Sequence, residues 1–166
     1  MRAIRISSRM QGNPTFMEQA IALATENVTS GRGGPFGVVI VRDGEIVATG
    51  VNLVTASNDP TAHGEIVAIR NACKALGSFQ LTGCEIYTSC EPCPMCLAAI
   101  HWARCKTIFY GCSAADAAAA GFDDASLYEE IKRPIDQRTI PTVNLLRERA
   151  ISTFDAWRSY ADRIDY

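Results

Sequence analysis

Apolar positions change their spacing along the chain, and each change marks an element. After Asn13-Pro14, the residues Phe16, Ala20, Leu23 and Ala24 recur at helical spacing, and Asn27 falls on the same face. An asparagine cap followed by proline predicts a helix start there, and Gly31, Gly33 and Gly34 predict its end. Residues 37–42 and 46–50 are β-branched runs joined by Asp43-Gly44, a two-residue hairpin signal. Residues 52–60 are polar and turn-like. A helix is predicted from 61–63 to Leu76, with Gly77 just past its end. Residues 85–88 read as a short buried strand, 89–92 as a turn, 93–103 as a helix and 107–110 as a strand. Helical fragments follow at 114–120 and 126–132. The last helix is predicted to start at Ser152-x-x-Asp155, a capping-box pattern, with Phe154, Trp157, Ala161 and Ile164 on one face. A hairpin followed by alternating helices and strands argues for an α/β chain with one mixed sheet between helices.

Composition narrows this picture. A chain of 166 residues suits a single domain over 1–166, with a C-terminal helix and tail near 153–166. With 48% hydrophobic and 20% charged residues, disorder is a poor description. The net charge of −2 argues against gripping a nucleic-acid backbone by charge. The longest uncharged apolar stretch, near 95–100, is far short of a membrane span, so no membrane partner is expected. No secretory apolar core follows Met1, and the opening MRAIRISSRM is too short for a transit peptide. Seven cysteines cannot all pair within one chain. Together with the lack of a signal peptide, they point to a reducing, cytoplasmic setting and to metal-binding or catalytic thiols.

Three features stand near helix starts: His63-Gly64-Glu65, Pro92-Cys93-Pro94-Met95-Cys96, and the GGPFG stretch at 33–37. Cys93 and Cys96 share one helix face, and the positive end of a helix favours thiolate. Two thiolates and an imidazole suit Zn²⁺, and three protein ligands leave a fourth position for water. Glu65 is placed to collect that water's proton. Alone, Cys-x-x-Cys also reads as a redox pair or half of a structural zinc site, and His-x-Glu as an ordinary polar helix start. Together they match H-x-E…P-C-x-x-C, the signature of zinc nucleobase deaminases. Cys90, Cys93 and Cys96 also open like a ferredoxin run, but that run needs Cys-Pro where Ile100-His101 stands. A non-catalytic zinc or iron–sulfur module is the reading from a different class. Cys90 is expected in the turn behind the ligands, and Cys73, Cys84, Cys105 and Cys112 as packing residues. His101 reads as a structural or surface histidine.

Over residues 13–166 the chain resembles the cytidine deaminase-like superfamily and, within it, the small bacterial guanine deaminases. The blocks that carry this are GGPFG at 33–37, SNDPTAHGE at 57–65, YTSCEPCPMC at 87–96, GFDD at 121–124 and the aromatic ending. The resemblance implies a three-layer α/β/α fold around a five-stranded mixed sheet. It implies one Zn²⁺ per chain on His63, Cys93 and Cys96, with Glu65 as general base, converting guanine to xanthine and ammonia. It implies a homodimer whose C-terminal segments are candidates for completing each other's sites. Asn52 and Asp124 are the implied polar contacts to the purine, and Asp124 is also a candidate proton relay to the leaving group. Phe36 and Trp102 are candidate walls, Gly64 a main-chain contact and Tyr166 a lid that leaves little room for ribose. Packing alone also accounts for Phe36, and a turn for Asn52. Gly64 departs from the usual His-Ala-Glu, and His-Gly-Glu is familiar from related guanosine deaminases, so a nucleoside substrate stays open. Transfer-RNA adenosine deaminases and cytosine deaminases share the zinc motif. The former need a basic RNA groove, and no Lys/Arg cluster supplies one.

Overall fold

The computed structural model describes residues 11–166. The opening segment 1–10, read above for a targeting signal, lies outside them. Helix α1 (Pro14–Thr29) starts as its cap predicts, with Asn13 Oδ1 accepting from the Thr15 N–H at 3.0 Å. Strands β1 (Gly37–Arg42) and β2 (Glu45–Val51) form the expected hairpin. Asp43 (φ 53°) and Gly44 (φ 82°) both adopt the left-handed conformation that a twist-matched two-residue turn requires. Register slips between Ile40, which faces Ala48, and Val41, which faces Ile46, so Val47 bulges.

A single helical turn, α2 (Val54–Ser57), interrupts the segment read as polar turn. Then follow α3 (Gly64–Leu76), β3 (Glu85–Cys90), α4 (Pro94–Trp102), β4 (Thr107–Cys112), α5 (Ala114–Ala119), α6 (Ala125–Lys132) and α7 (Arg147–Ser159). Gly77 ends α3 at φ 59°.

The sheet runs β2-β1-β3-β4. β1 is antiparallel to both neighbours and β3 is parallel to β4, so the sheet is mixed as expected. The strand number differs: the described residues form four strands, not five. The later β-branched stretch at 140–143 contains Pro141, which has no N–H to give a ladder, and it stays outside the sheet.

Alternation along β1 builds two cores. Val38 and Ile40 face α3 and α4, where they pack with Ala68, Ala72, Leu81, Cys84, Ile86 and Ile100. Val39 and Val41 face α1 and pack with Ala20 and Tyr87. Helices thus cover both faces, giving the three layers. Gly37 lets α1 approach closely, because a Cβ there would lie 2.3 Å from the Ala20 carbonyl.

The described residues fall into two compact units, one ending at Ser126 and the other covering Leu127–Tyr166. The second unit contains α7, which starts five residues earlier than its sequence predicts. Leu146 caps it at φ 54°, and the Ser152 hydroxyl bonds back to the Arg149 carbonyl at 2.7 Å, inside the helix. Residues 147–150 are good helix formers, so the helix extends past the serine. No residue of this unit is buried, and Ile140, Val143 and Leu145 are 78–82% exposed. No helix among the described residues is long and apolar enough to cross a membrane.

Candidate active site

Two helix N-termini converge. His63 is the N-cap of α3 (φ −66°, ψ 157°) and Cys93 the N-cap of α4 (φ −63°, ψ 168°). Cys96 stands one turn into α4, so both thiols sit at the positive end of that helix. The loop before His63 is braced by Asp59, whose Oδ1 accepts from the Thr61 N–H at 2.8 Å and the Thr61 hydroxyl at 2.7 Å. Arg70 of α3 lies 3.5 Å from the same carboxylate.

His63 Nδ1 lies 3.6 Å from Cys93 Sγ and 3.5 Å from Cys96 Sγ. All three donor atoms lie within 4.8 Å of one another, and no other such group of three occurs among the described residues. Zn–S bonds of about 2.3 Å and Zn–N bonds of about 2.0–2.1 Å at a tetrahedral angle separate N and S by about 3.5–3.6 Å. The donor set therefore fits zinc in both kind and spacing.

The thiols polarise each other. The Cys96 hydrogen bond, assisted by His63, pulls the Cys93 thiol down to about 4. Cys96 is pushed up because it is the donor in that bond and is buried. The hydrogen bond with Cys93 raises His63 above its ordinary value. Thiolate is the form that ligates, so metal binding releases the remaining thiol protons.

Glu65 follows in the first turn of α3 and is only 6% exposed. Burial pushes its carboxyl above the usual carboxylate range. The Thr88 hydroxyl lies 3.4 Å from Glu65 Oε1 and 2.9 Å from the Cys90 carbonyl.

These groups open into a cleft of about 650 Å³. Its walls come from the glycine loop (Gly33, Gly34, Phe36), from Asn52, Val54 and Thr55, and from Ala114, Ala117 and residues 121–124. The volume lies in the range of small-molecule sites, about 300–1,000 Å³. Asn52 Oδ1 accepts from the Val54 N–H at 3.3 Å, which leaves its Nδ2 donors available to a ligand. Asp124 also lines the cleft, its carboxyl raised by burial and by the nearby Cys93 charge. Phe36 meets Phe122 edge-on, with centroids 5.0 Å apart. Phe122 is a wall the sequence reading missed, although it stands in the GFDD block beside Asp124. Glu91 was missed too; it lines the cleft and accepts from the Ala114 N–H at 3.0 Å, tying α5 to the cysteine loop.

Trp102 ends α4, 65% exposed, outside the lining of this chain's own cleft and roughly 13 Å along the helix axis from Cys93. One expectation needs correcting. Cys112 is exposed rather than packed, because β4 is an edge strand. Cys90 is buried in the cleft wall behind the ligands, and Cys84 lies in the core. Gly64 is buried; a Cβ there would come 3.1 Å from Val38 Cγ2, so only a small residue fits. Tyr166 belongs to the second unit, where its ring meets Trp157 edge-on.

A His-Cys-Cys donor set beside a buried carboxylate is the arrangement of a hydrolytic zinc enzyme. Residues 10–112 match the cytidine and deoxycytidylate deaminase zinc-binding region. The chain belongs to that family. It is 56% identical over 152 residues to the guanine deaminase of Bacillus subtilis (strain 168), covering 92% of this chain and 97% of that protein. The X-ray structure of guanine deaminase from Bacillus subtilis superposes with a TM-score of 0.91 at 54% identity, covering 94% of this chain and 99% of the other. A tRNA-specific adenosine deaminase of Agrobacterium fabrum (strain C58) is 48% identical over 77 residues, 46% of this chain and 51% of that one.

Proposed function

We propose that this chain is a zinc-dependent guanine deaminase, converting guanine and water to xanthine and ammonia. The observation that carries the reading is the buried Glu65 carboxylate beside the His63–Cys93–Cys96 cluster, at the base of a cleft sized for a small molecule. The likeness to a guanine deaminase runs over 92% of the chain, whereas the likeness to the tRNA-specific enzyme covers 46%.

His63, Cys93 and Cys96 would hold Zn²⁺, which would supply Lewis acidity that lowers the pKa of water towards neutral. Glu65 takes the water's proton as the oxygen adds to C2 of the base. It then delivers that proton to ring N3. The proton of the added hydroxyl then passes to the amino group, with Asp124 assisting at the N1/amino edge; the C2–N bond breaks, ammonia leaves and the C2 carbonyl of xanthine forms. Asp124 accepts from N–H groups when ionised. Asn52 donates to the purine, the Gly64 main chain touches it, and Phe36 with Phe122 forms an aromatic side wall.

A guanosine reading has one observation in its favour: a cleft of about 650 Å³ has space beyond a free purine. The tail decides between the two. We assign Tyr166 the role of a lid that excludes water and ribose, in a homodimer where the C-terminal segment of one subunit completes the site of the other. Exposed Ile140, Val143, Leu145 and Ile164, in a unit with no buried residue, support a partner of this kind. Seven free cysteines support a reducing, cytoplasmic location. The test is ammonia release from guanine, guanosine, adenine, cytosine and cytidine, with a chelated control. Guanine alone should react, and deleting 164–166 should cripple turnover. Preference for guanosine, or full activity without the tail, refutes the assignment.

A further inference from the structure

A fully buried amide lies behind the cleft and takes no part in the chemistry above. Asn27, near the end of α1, is 0% exposed. Its Nδ2 donates to the Asn52 carbonyl at 2.8 Å and to the Gly34 carbonyl at 2.9 Å. Its main-chain carbonyl accepts from the Arg32 N–H at 3.1 Å and from the Ser30 hydroxyl at 3.2 Å, which fixes the end of the helix. Two parts of the cleft wall therefore meet on one nitrogen: the glycine loop leading into Phe36, and the end of β2 that carries Asn52.

The amide has only one workable orientation. Rotating it by half a turn would set Oδ1 against two carbonyl oxygens. As placed, Oδ1 is buried without a hydrogen-bond partner among the described residues. The position is thus used for its two donors, and the acceptor goes unused. Gly33 shows how tight the junction is. A Cβ there would lie 2.3 Å from the Asn52 carbonyl oxygen and 3.1 Å from Asn27 Nδ2. One further link, from the Asn52 N–H to the Phe36 carbonyl at 3.1 Å, joins the same two segments.

We propose that Asn27 is a positioning residue that sets the spacing between the Phe36 wall and the Asn52 amide, and through that spacing the affinity for the purine. The inference rests on the reading of Asn52 and Phe36 as substrate contacts. Asn27 touches neither the zinc ligands nor Glu65, so its loss acts on binding and spares the chemical step.

The test is steady-state kinetics on guanine, with zinc content measured on the same samples. N27L keeps the size and removes both donors, while N27D keeps the shape and presents acceptors to the two carbonyls. Both should raise KM at least tenfold, leave kcat within about threefold, and retain zinc near one per chain. G33A pushes on the same junction from the other side and should give the same signature, so it decides the matter if the Asn27 variants do not fold. A variant that loses thermal stability while KM stays unchanged overturns the proposal, because Asn27 would then act only as packing. N52A separates the two levels of the argument. If N52A raises KM and the Asn27 and Gly33 variants do not, the bridge is wrong. If N52A leaves KM unchanged, the substrate-contact reading fails and takes the bridge with it.

Discussion

Gly50 gives a direct way to pull the metal centre apart from a distance. It lies in β2, paired with Val38, and touches no metal ligand. A Cβ at this position would lie 2.4 Å from both the Gly64 carbonyl oxygen and the Ala68 nitrogen. Those are backbone atoms of the first turns of α3, the helix that His63 caps and that carries Glu65. Ordinary contact begins near 3.4 Å, so G50A must separate β2 from α3 by about 1 Å. Cys93 and Cys96 belong to α4, a different helix from the one that His63 caps. Metal sites tolerate about ±0.2 Å in ligand distance. Overpacking of this kind costs about 1–3 kcal/mol, or roughly 3–9 °C in Tm for a chain of this size. Thermal unfolding and zinc content measured together should show both losses, and ammonia release should fall with the zinc. A variant with unchanged Tm and one zinc per chain would refute the claim that β2–α3 packing sets the position of His63.

Three further outcomes are expected. Tyr87 lies on the α1 face of the sheet, its hydroxyl accepting from the Asn13 N–H at 3.1 Å and donating to Glu85 at 3.2 Å. Y87F should cost about 1 kcal/mol, seen as a lower urea midpoint, with KM and kcat unchanged. Burial pushes the Cys105 thiol up to about 12 from an ordinary 9.0. The folded state keeps a proton that the unfolded state loses, so this group lowers stability as pH rises from about 9 towards 12. The urea midpoint of the native protein should therefore fall relative to C105A between pH 8 and pH 10, and a constant difference would contradict this. G64A places a methyl 3.1 Å from the Val38 side chain, a few tenths of an ångström too close. Set against the helix-propensity gain of up to about 1 kcal/mol, the net change in Tm should be small. A large loss of zinc or stability would show that the junction cannot yield.

The elements that carry the chemistry were legible because their signals are local. Asn13-Pro14, Asp43-Gly44 and Gly77 act through backbone geometry at single positions, and the structure places a cap, a hairpin and a helix end there. The zinc ligands were legible because His63 and Cys93 are both N-caps, and Cys96 lies on the same turn as Cys93. What failed depended on distant contacts. Ser152 looks like a cap, but its hydroxyl finds a carbonyl inside a helix that had already begun. Asn27 lies on the apolar face of α1 and Phe122 in the GFDD block, but neither local pattern gives its role. Their roles appear only when the glycine loop, Asn52 and the segment after α5 are brought to one cleft.

The central claim is that Glu65 moves the protons while His63, Cys93 and Cys96 hold the metal. It is tested most directly by ammonia release from guanine in E65Q, with zinc quantified in the same preparation. Glutamine keeps the shape beside Thr88 but cannot take a proton from water. E65Q should keep zinc near one per chain and lose turnover by at least about 10²–10⁴-fold. Turnover near the native rate with zinc in place would contradict it.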